Sequence, residues 1–252
     1  MTLFGWRVPM MASLLLWAGV WEVVGQLDMI LMFPPLSGVL AALVELVPTD
    51  TFLDAAWLTL RSFLAGMALA IVIGVPMGIL MGRSEAADQL LGMWVNVFVS
   101  APLTALVPVI MILFGMGETT VIVTVFLFAV WIIALDARAG ARAIPLSLTE
   151  MARSFGASRP QFYWKIVLLA ALPEILAGIR LGVVRGVKGV VIGQLLVAII
   201  GLGALFELYG RNFLMERFWA LTLILFAFAL LLADLVERIE RRVDYYAGVR
   251  NT

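Results

Sequence analysis

The chain has 252 residues, of which 63% are hydrophobic and 13% charged, and its 17 basic residues equal its 17 acidic ones. Soluble domains carry about 25% charged residues, so this composition excludes a water-soluble globule and makes the lipid bilayer the main solvent. The absence of cysteine and histidine excludes disulfides, thiol chemistry and nearly all zinc or copper sites, and it removes the commonest general base.

The apolar segments are continuous rather than alternating, a pattern that favours membrane-spanning helices over a β-barrel. A helix needs about 20 mostly apolar residues to cross a bilayer. We therefore predict an all-α membrane protein with about six transmembrane helices, forming a single domain over residues 1–252. The predicted spans are residues 8–24, 55–81, 90–114, 119–135, 172–200 and 218–233.

The first predicted span is the weakest of the six. Arg7 ahead of an apolar core also suits a secretory signal peptide, and Glu22 lies near the end of the segment. No convincing cleavage site of small residues follows, so we expect this segment to be retained as span one.

Basic residues concentrate on one side of the predicted spans. They are Arg7, Arg83, Arg138, Arg142, Arg153, Arg159, Lys165, Arg238, Arg241, Arg242 and Arg250. The other side holds Arg211 and Arg217 together with acidic residues such as Asp28 and Asp50. Because loops rich in lysine and arginine stay in the cytoplasm, we predict a multi-pass protein of a bacterial-type inner membrane with both termini cytoplasmic.

The third predicted span contains two prolines, Pro102 and Pro108. We expect them to bend the helix and to free backbone carbonyl groups toward a cavity. Three uncharged polar residues, Asn96, Ser100 and Thr104, lie in the same span. They either contact a transported substrate or hydrogen-bond neighbouring helices, and the sequence leaves both interpretations open.

A polar, charged segment between spans four and five interrupts the apolar pattern, and we name residues 147–166 the island. Ser147, three residues before Glu150, fits a capping box and predicts a helix start. Gly156 predicts the left-handed turn that ends this helix. Ser158 is then expected to cap a second short helix. The island should therefore be a helix, a sharp turn and a second helix on the cytoplasmic side.

The island also carries apolar and aromatic residues that a simple linker would not expose. They are Met151, Phe155, Phe162, Tyr163 and Trp164. A solvated loop is the plainer interpretation. We favour a docking element instead, because a short helix with an apolar face and cationic flanks suits a groove on a partner protein.

Span five carries two cations deep in its sequence, Arg185 and Lys188, which are three residues apart and hence on one helix face. A cation at a helix centre costs about 2.5–3.5 kcal/mol on insertion scales. Interhelical pairing or snorkelling accounts for such residues, and so does a cavity that attracts an anion. Gln194, an uncharged polar residue of the same span, either contacts substrate or joins helices.

Glycines in span five recur at four-residue spacing. They are Gly178, Gly182 and Gly186, followed by Gly189 and Gly193. Small residues at this spacing let helices approach closely in lipid. Packing inside one subunit is one interpretation, and we slightly favour a seam in the core or between two subunits.

The island resembles the cytoplasmic coupling motif of ATP-binding cassette (ABC) importer permeases. That motif has Glu-Ala-Ala, three residues, Gly, nine residues and then Ile-x-Leu-Pro. The matching positions here are Glu150, Ala152, Gly156, Ile166 and Leu168. Met151 replaces the first alanine, and Leu169 stands where proline is usual.

Three further segments resemble permeases of the nitrate/sulfonate/taurine-type branch, and together the resemblance covers most of the chain. They are residues 60–78, 102–118 and 201–213. The resemblance implies a type I ABC importer permease fold, with a cytoplasmic coupling helix between spans four and five. It also implies that the ATPase-coupling residues are Glu150, Met151, Ala152, Phe155, Gly156 and Ile166.

The resemblance implies a non-catalytic subunit without cofactors or metal sites of its own, and no Gly-x-x-x-x-Gly-Lys-Ser/Thr loop occurs in the sequence. ATP and magnesium would belong to a cytoplasmic ABC ATPase dimer. The other implied partners are a second permease copy, most simply an identical one, and an extracytoplasmic solute-binding protein. No nucleic acid partner is expected.

The predicted function is that of a permease subunit in an ATP-driven, binding-protein-dependent importer of a small solute. Arg185 and Lys188 favour an anion such as a sulfonate, nitrate or carboxylate. A secondary transporter is one alternative, although we find no internal repeat and no acidic residue suited to carry a proton within spans two to five. A channel or membrane scaffold that works without an ATPase is the other.

Overall fold

The computed structural model describes residues 2–3, 6–7, 10–28, 30, 32–198 and 200–247, and the side-chain surroundings of residues 12–28, 30, 32–196 and 200–238. Two short strands, β1 (Thr2–Leu3) and β2 (Trp6–Arg7), pair antiparallel ahead of the first helix. The helices are α1 (Met10–Gln26), α2 (Leu36–Leu46), α3 (Asp50–Arg83), α4 (Glu85–Ser100), α5 (Val107–Phe114), α6 (Glu118–Arg142), α7 (Leu146–Ser154), α8 (Arg159–Phe162), α9 (Leu168–Ala170), α10 (Leu172–Gly193), α11 (Gly201–Arg211) and α12 (Met215–Ala247). A 3-10 turn covers Leu103–Leu106, and π-helical turns cover Tyr163–Val167 and Gln194–Ala198.

Three described helices are long and apolar enough to cross a membrane: α3, α6 and the Met215–Arg238 part of α12. Two bent pairs raise the count to as many as five if each pair forms one span. One pair joins α4 to Leu103–Phe114 at 98°, and the other joins Arg159–Ala170 to Leu172–Leu196 at 65°. The all-α architecture is confirmed, whereas the count of six spans stays a prediction, because α1 has 17 residues.

The third predicted span, residues 90–114, is two helices rather than one. Pro102 precedes the 3-10 turn that follows α4, and Pro108 lies in the first turn of α5. Proline lacks the backbone N–H that a continuous helix needs at these positions. The bend expected from the prolines is present, and at 98° it sends the chain almost at a right angle to α4.

Small residues on α3 hold it against α6, which runs parallel to it. A Cβ atom built on Gly78 would lie 2.4 Å from the Ala134 carbonyl oxygen. One built on Gly66 would lie 2.6 Å from the Val125 Cβ, and one on Gly82 would lie 2.6 Å from the Ala141 Cβ. The two backbones therefore approach closely along much of their length, as small residues permit in lipid.

Most glycines of α10 also face α6, whereas Gly186 lies against Met67 and Phe63 of α3. A Cβ built on Gly178 would lie 2.7 Å from the Asp136 Cβ, and one built on Gly193 would lie 3.4 Å from the Thr124 Cβ. As residue numbers rise along α10, its neighbours on α6 fall, so the two helices are antiparallel. Of the two seams that the sequence favoured, in the core or between two subunits, these glycines form the one in the core of a single chain.

Ion pairs hold both ends of α6 to neighbouring helices. At the end where α6 begins, Arg61 of α3 holds Glu118 in a two-pronged contact, with Nε–Oε1 at 2.7 Å and Nη2–Oε2 at 2.5 Å. At the end where α6 finishes, Asp88 of α4 pairs with Arg138 at 2.6 Å and with Arg142 at 2.5 Å. The second contact lies just before the island, so the island extends from an anchored helix end.

Aromatic side chains join α1 and α2 to the first turns of α12. Trp21 and Trp219 pack edge to face with ring centroids 5.4 Å apart, and Phe33 contacts both rings. The indole N–H of Trp21 donates to the Pro34 carbonyl, and that of Trp219 donates to the Met32 carbonyl, each at 3.0 Å. Tryptophan is typical of the membrane–water interface, where its ring is apolar and its N–H needs a partner.

Candidate functional site

The island folds as two short helices joined by a left-handed glycine. α7 ends at Ser154, and Gly156 follows with a φ of 70°. Ser158 then begins α8 with a complete capping box, in which its hydroxyl accepts from the Gln161 N–H and its own N–H donates to the Gln161 Oε1. The turn and the second cap are confirmed.

The predicted first cap was wrong. α7 begins at Leu146 behind Pro145, and no side chain caps it. Ser147 lies inside the first turn of the helix, where its side chain cannot take the capping position. The fixed φ of proline, −58° here, presets the backbone for a helix start without a side-chain acceptor.

The base of the island is packed against the rest of the chain. Ala152 and Thr149 on α7 are buried, and Phe162 packs against a small core formed by Ala141, Ile144 and Val167. The guanidinium carbon of Arg83, at the end of α3, lies 5.5 Å from the Phe162 ring centroid, a cation–π contact. These contacts connect the island to α3 and α6.

The tip of the island is exposed. Phe155 is 85% exposed and Met151 is 45% exposed, whereas Ala152 is 3% exposed. Glu150 is exposed beside Met151 and Gly156 is exposed at the turn, while Ile166 is half-buried. The predicted coupling residues therefore divide into a surface group and a supporting group, to which Ala152 and Ile166 belong.

Lys188 lies near the middle of the membrane-spanning part of α10. Its neighbour Gly189 faces Phe128, which is near the midpoint of α6. The Lys188 side chain itself is exposed, although Gly186, Val187, Gly189 and Val190 around it are buried. It thus belongs to the face of α10 that leaves the chain's own core.

Arg185 is half-buried one turn before Lys188 and is attracted by Asp136 of α6. Asp136 was not among the predicted site residues, because the fourth span was predicted to end at residue 135. α6 continues to Arg142 and so takes Asp136 into the helix. The apolar and small residues after position 136, such as Ala137 and Gly140, were the available signal. The attraction by Asp136 favours the interhelical interpretation of Arg185, and a role for Arg185 in a substrate pathway stays a prediction.

Gln194 lies in a buried polar cluster with Thr59 of α3. The Gln194 Nε2 donates to the Thr59 Oγ1 at 3.0 Å. The Leu202 N–H donates to the same hydroxyl at 3.1 Å, and the Gly203 N–H donates to the Gln194 Oε1 at 3.3 Å. Gln194 is 1% exposed. This geometry favours the helix-joining interpretation, and a role for Gln194 in a substrate pathway stays a prediction.

Replacing Gln194 by leucine should destabilise the chain by about 1–2 kcal/mol, because the Gly203 N–H and the Thr59 hydroxyl lose partners in a buried place. Thermal unfolding of the purified chain in detergent measures this. Gln89→Leu, the same change at an exposed position of α4, is the matched control. Unchanged unfolding together with weaker substrate uptake would instead identify Gln194 as a pathway residue.

Asn96, Ser100 and Thr104 are all exposed, on both sides of the break between α4 and α5. Phe98 stacks on Trp131 of α6, with centroids 4.4 Å apart and planes 8° from parallel, and so holds α4 to the central helix. α5 in turn packs against the π-helical turn after α10.

Among the described residues, no group of three or more acidic side chains could hold a metal ion.

Comparison with known proteins places these features in a family. The family described as "Binding-protein-dependent transport system inner membrane component" matches residues 70–245. The taurine transport system permease protein TauC of Escherichia coli (strain K12) is 31% identical over 257 residues, which cover 96% of this chain and 94% of TauC. The nitrate import permease protein NrtB of Synechocystis sp. is 27% identical over 157 residues, which cover 62% of this chain and 57% of NrtB.

Solved structures show the same fold. An inward-facing structure of the MetNI methionine ABC transporter matches with a TM-score of 0.65 and 25% identity, covering 75% of this chain and 94% of the matched chain. An amino acid ABC transporter matches with a TM-score of 0.61 at 19% identity and covers 76% of this chain and 94% of the other, a likeness of fold alone. The predicted type I importer permease fold is confirmed.

Proposed function

Because the chain belongs to the family of binding-protein-dependent transport system inner membrane components, we propose that it is the permease subunit of an ATP-driven importer of a small anion. In this proposal the island is cytoplasmic and docks on a separate ABC ATPase, which hydrolyses ATP. A second permease copy and an extracytoplasmic solute-binding protein complete the importer.

The observation that carries the proposal is the shape of the island. Its exposed tip presents Met151 and Phe155 beside Glu150, while its base is fixed by Ala152, Phe162 and the cation–π contact with Arg83. An apolar tip on a firmly anchored base suits an element that receives force from a partner. A loop without a partner would leave the Phe155 ring in water with no compensating contact.

Lys188 supports the proposal that the substrate is an anion. A lysine at mid-membrane depth that faced lipid would cost about 2.5–3.5 kcal/mol, whereas one that faces a water-filled cavity or a second subunit avoids most of this cost. Its exposed position on α10 points away from the chain's own core and suits a cavity between two copies. The names of TauC and NrtB refer to taurine and nitrate, which agree with an anionic group in the substrate.

Co-purification is the direct test of the proposal. The chain, expressed with its candidate ATPase, should form a stable complex whose ATP hydrolysis rises with a loaded binding protein. Uptake should stop when ATP is depleted and persist with an uncoupler. Uptake that survives ATP depletion and collapses with an uncoupler would establish the secondary transporter, and solute flux without any ATPase would establish the channel.

Replacing Lys188 by glutamine should raise the KM for an anionic substrate about tenfold, the ratio that corresponds to about 1.4 kcal/mol of lost attraction. Uptake of a panel of sulfonates, nitrate and carboxylates into proteoliposomes measures this. Lys188→Arg keeps the charge and is the matched control. If both variants had the parental KM, Lys188 would have no part in recognising the substrate.

A further inference from the structure

Three arginines line a cavity of about 520 Å³ beside the island. The cavity is lined by Arg83 at the end of α3, Arg153 at the end of α7 and Arg159 at the start of α8, together with Ala152, Ala157, Phe162 and Tyr163. It lies on the side of the buried Ala152, whereas the proposed ATPase-docking tip is formed by the exposed Met151 and Phe155.

The charge of this arginine cavity is not neutralised within the described part of the chain. Arg83 is held by the Phe162 ring, which leaves its positive charge intact. Other arginines have a carboxylate partner, such as Arg138 and Arg142, which share Asp88. No described carboxylate pairs with the three arginines of the cavity, so three like charges converge on one space and attract an anion.

An apolar groove adjoins the arginine cavity. It has a volume of about 290 Å³ and is lined by Val75, Pro76, Ile79, Leu80, Tyr163, Trp164 and Leu168. Tyr163 lines both spaces, so the groove begins where the cavity ends. Trp164 and Leu80 are exposed, so the groove is open at the surface of the chain.

We propose that the arginine cavity and the adjoining groove together bind one anionic phospholipid. The phosphate-bearing headgroup occupies the cavity, and an acyl chain lies in the groove along α3 and the π-helical turn Tyr163–Val167. Basic pockets between transmembrane helices on the cytoplasmic side hold such headgroups, and arginine matches the phosphate geometry with two parallel hydrogen bonds. The placement rests on the proposed cytoplasmic side of the island.

This lipid has a mechanical consequence for the importer. Its headgroup would contact α3, α7 and α8 at once, and these are the elements between the island and the spanning helices. The bound phospholipid would therefore stiffen the base of the island, and anionic lipid should raise the coupling of ATP hydrolysis to uptake.

Fluorescence quenching tests the binding directly, because Trp164 lies in the groove. The full-length chain in detergent is titrated with phosphatidylglycerol carrying brominated acyl chains, and separately with brominated phosphatidylcholine. We expect a saturable quenching component for phosphatidylglycerol that is weak for phosphatidylcholine. Trp164→Phe should remove this component. Equal quenching by both lipids would overturn the proposal.

Arginine variants test the headgroup contacts. Arg83→Gln, Arg153→Gln and Arg159→Gln should each weaken phosphatidylglycerol binding about fivefold, the ratio that about 1 kcal/mol per basic residue corresponds to. Arg238→Gln, on an exposed arginine of α12 that pairs with Asp234, should leave it unchanged. A triple variant that binds like the parent chain would overturn the proposal.

Two competing occupants give different results. Complete displacement of the lipid by millimolar inorganic phosphate would identify a soluble anion and contradict a lipid site. Arginine variants that bind phosphatidylglycerol normally but no longer co-purify with the ATPase would assign the cavity to the protein interface. Selective lipid binding by a chain that recruits no ATPase would uphold the lipid site and defeat the proposed function.

Discussion

Replacing Gly156 by tryptophan is expected to uncouple ATP hydrolysis from uptake while the chain still folds and inserts. No atom lies within 4 Å of a Cβ built on Gly156, so the ring meets nothing in its own chain. The positive φ of 70° adds a strain of about 1–2 kcal/mol. Outside the chain, the ring would stand beside Phe155 and keep a partner from closing on the tip. Loss of a central docking contact costs about 2 kcal/mol, or roughly thirtyfold in affinity.

The matched control is Gly156→Ala, which has the same backbone strain without the ring. Co-purification with the ATPase and ATP-driven uptake in proteoliposomes are measured for both variants. We expect Gly156→Ala to retain most uptake and Gly156→Trp to lose it. Equal losses would mean that the turn itself is limiting, and normal uptake by both would remove the docking role of the island. Glu150→Lys, which reverses a charge at the exposed tip, should act like Gly156→Trp.

Replacing Gly78 by leucine should prevent the chain from folding stably. A built Cβ lies 2.4 Å from the Ala134 carbonyl oxygen and 2.6 Å from the Ala137 Cβ, and both neighbours are fixed parts of α6 rather than flexible side-chain ends. The two helices would have to separate, and overpacking of this kind costs about 1–3 kcal/mol or more. We expect little protein in the membrane and a strongly lowered thermal midpoint in detergent.

Gly19→Leu is the control for that experiment. Gly19 lies in α1, and a Cβ built there has nothing within 4 Å, so the same substitution meets open space. It should leave both expression and thermal unfolding close to those of the parent chain. Equal behaviour of the two variants would show that the contact between α3 and α6 is not a main source of stability.

Two of the three local patterns in the island predicted the structure correctly, because their causes lie within one turn. Gly156 predicts its turn because few other residues adopt a positive φ, and Ser158 with Gln161 predicts a cap because both partners lie within one turn. The cap at Ser147 failed on the same scale, because Pro145 offered a competing helix start. Apolar runs located the helices, yet the angle at Pro102 depends on what packs against α4 and α5.

Contacts between residues that are distant in sequence could not be predicted from local sequence patterns. Gln194 and Thr59 are 135 positions apart. The sequence around each residue does not indicate that their side chains form a hydrogen bond. The same holds for Asp136 and Arg185, whose charges attract each other only because α6 and α10 pack together. The arginine cavity likewise needs three separate elements to converge, and each of its arginines looks like an ordinary helix-end cation in sequence.

The glycine contacts that α3 and α10 make with α6 restrict where this protein can change shape. The glycines bring the backbones into close contact, and close-packed interiors have low compressibility and transmit strain. We therefore expect α3, α6 and α10 to move together as one rigid body during a transport cycle. We expect the motion at places without such contacts, such as the break after α4. A small rotation of the island would then displace α10 at the level of Lys188 as well.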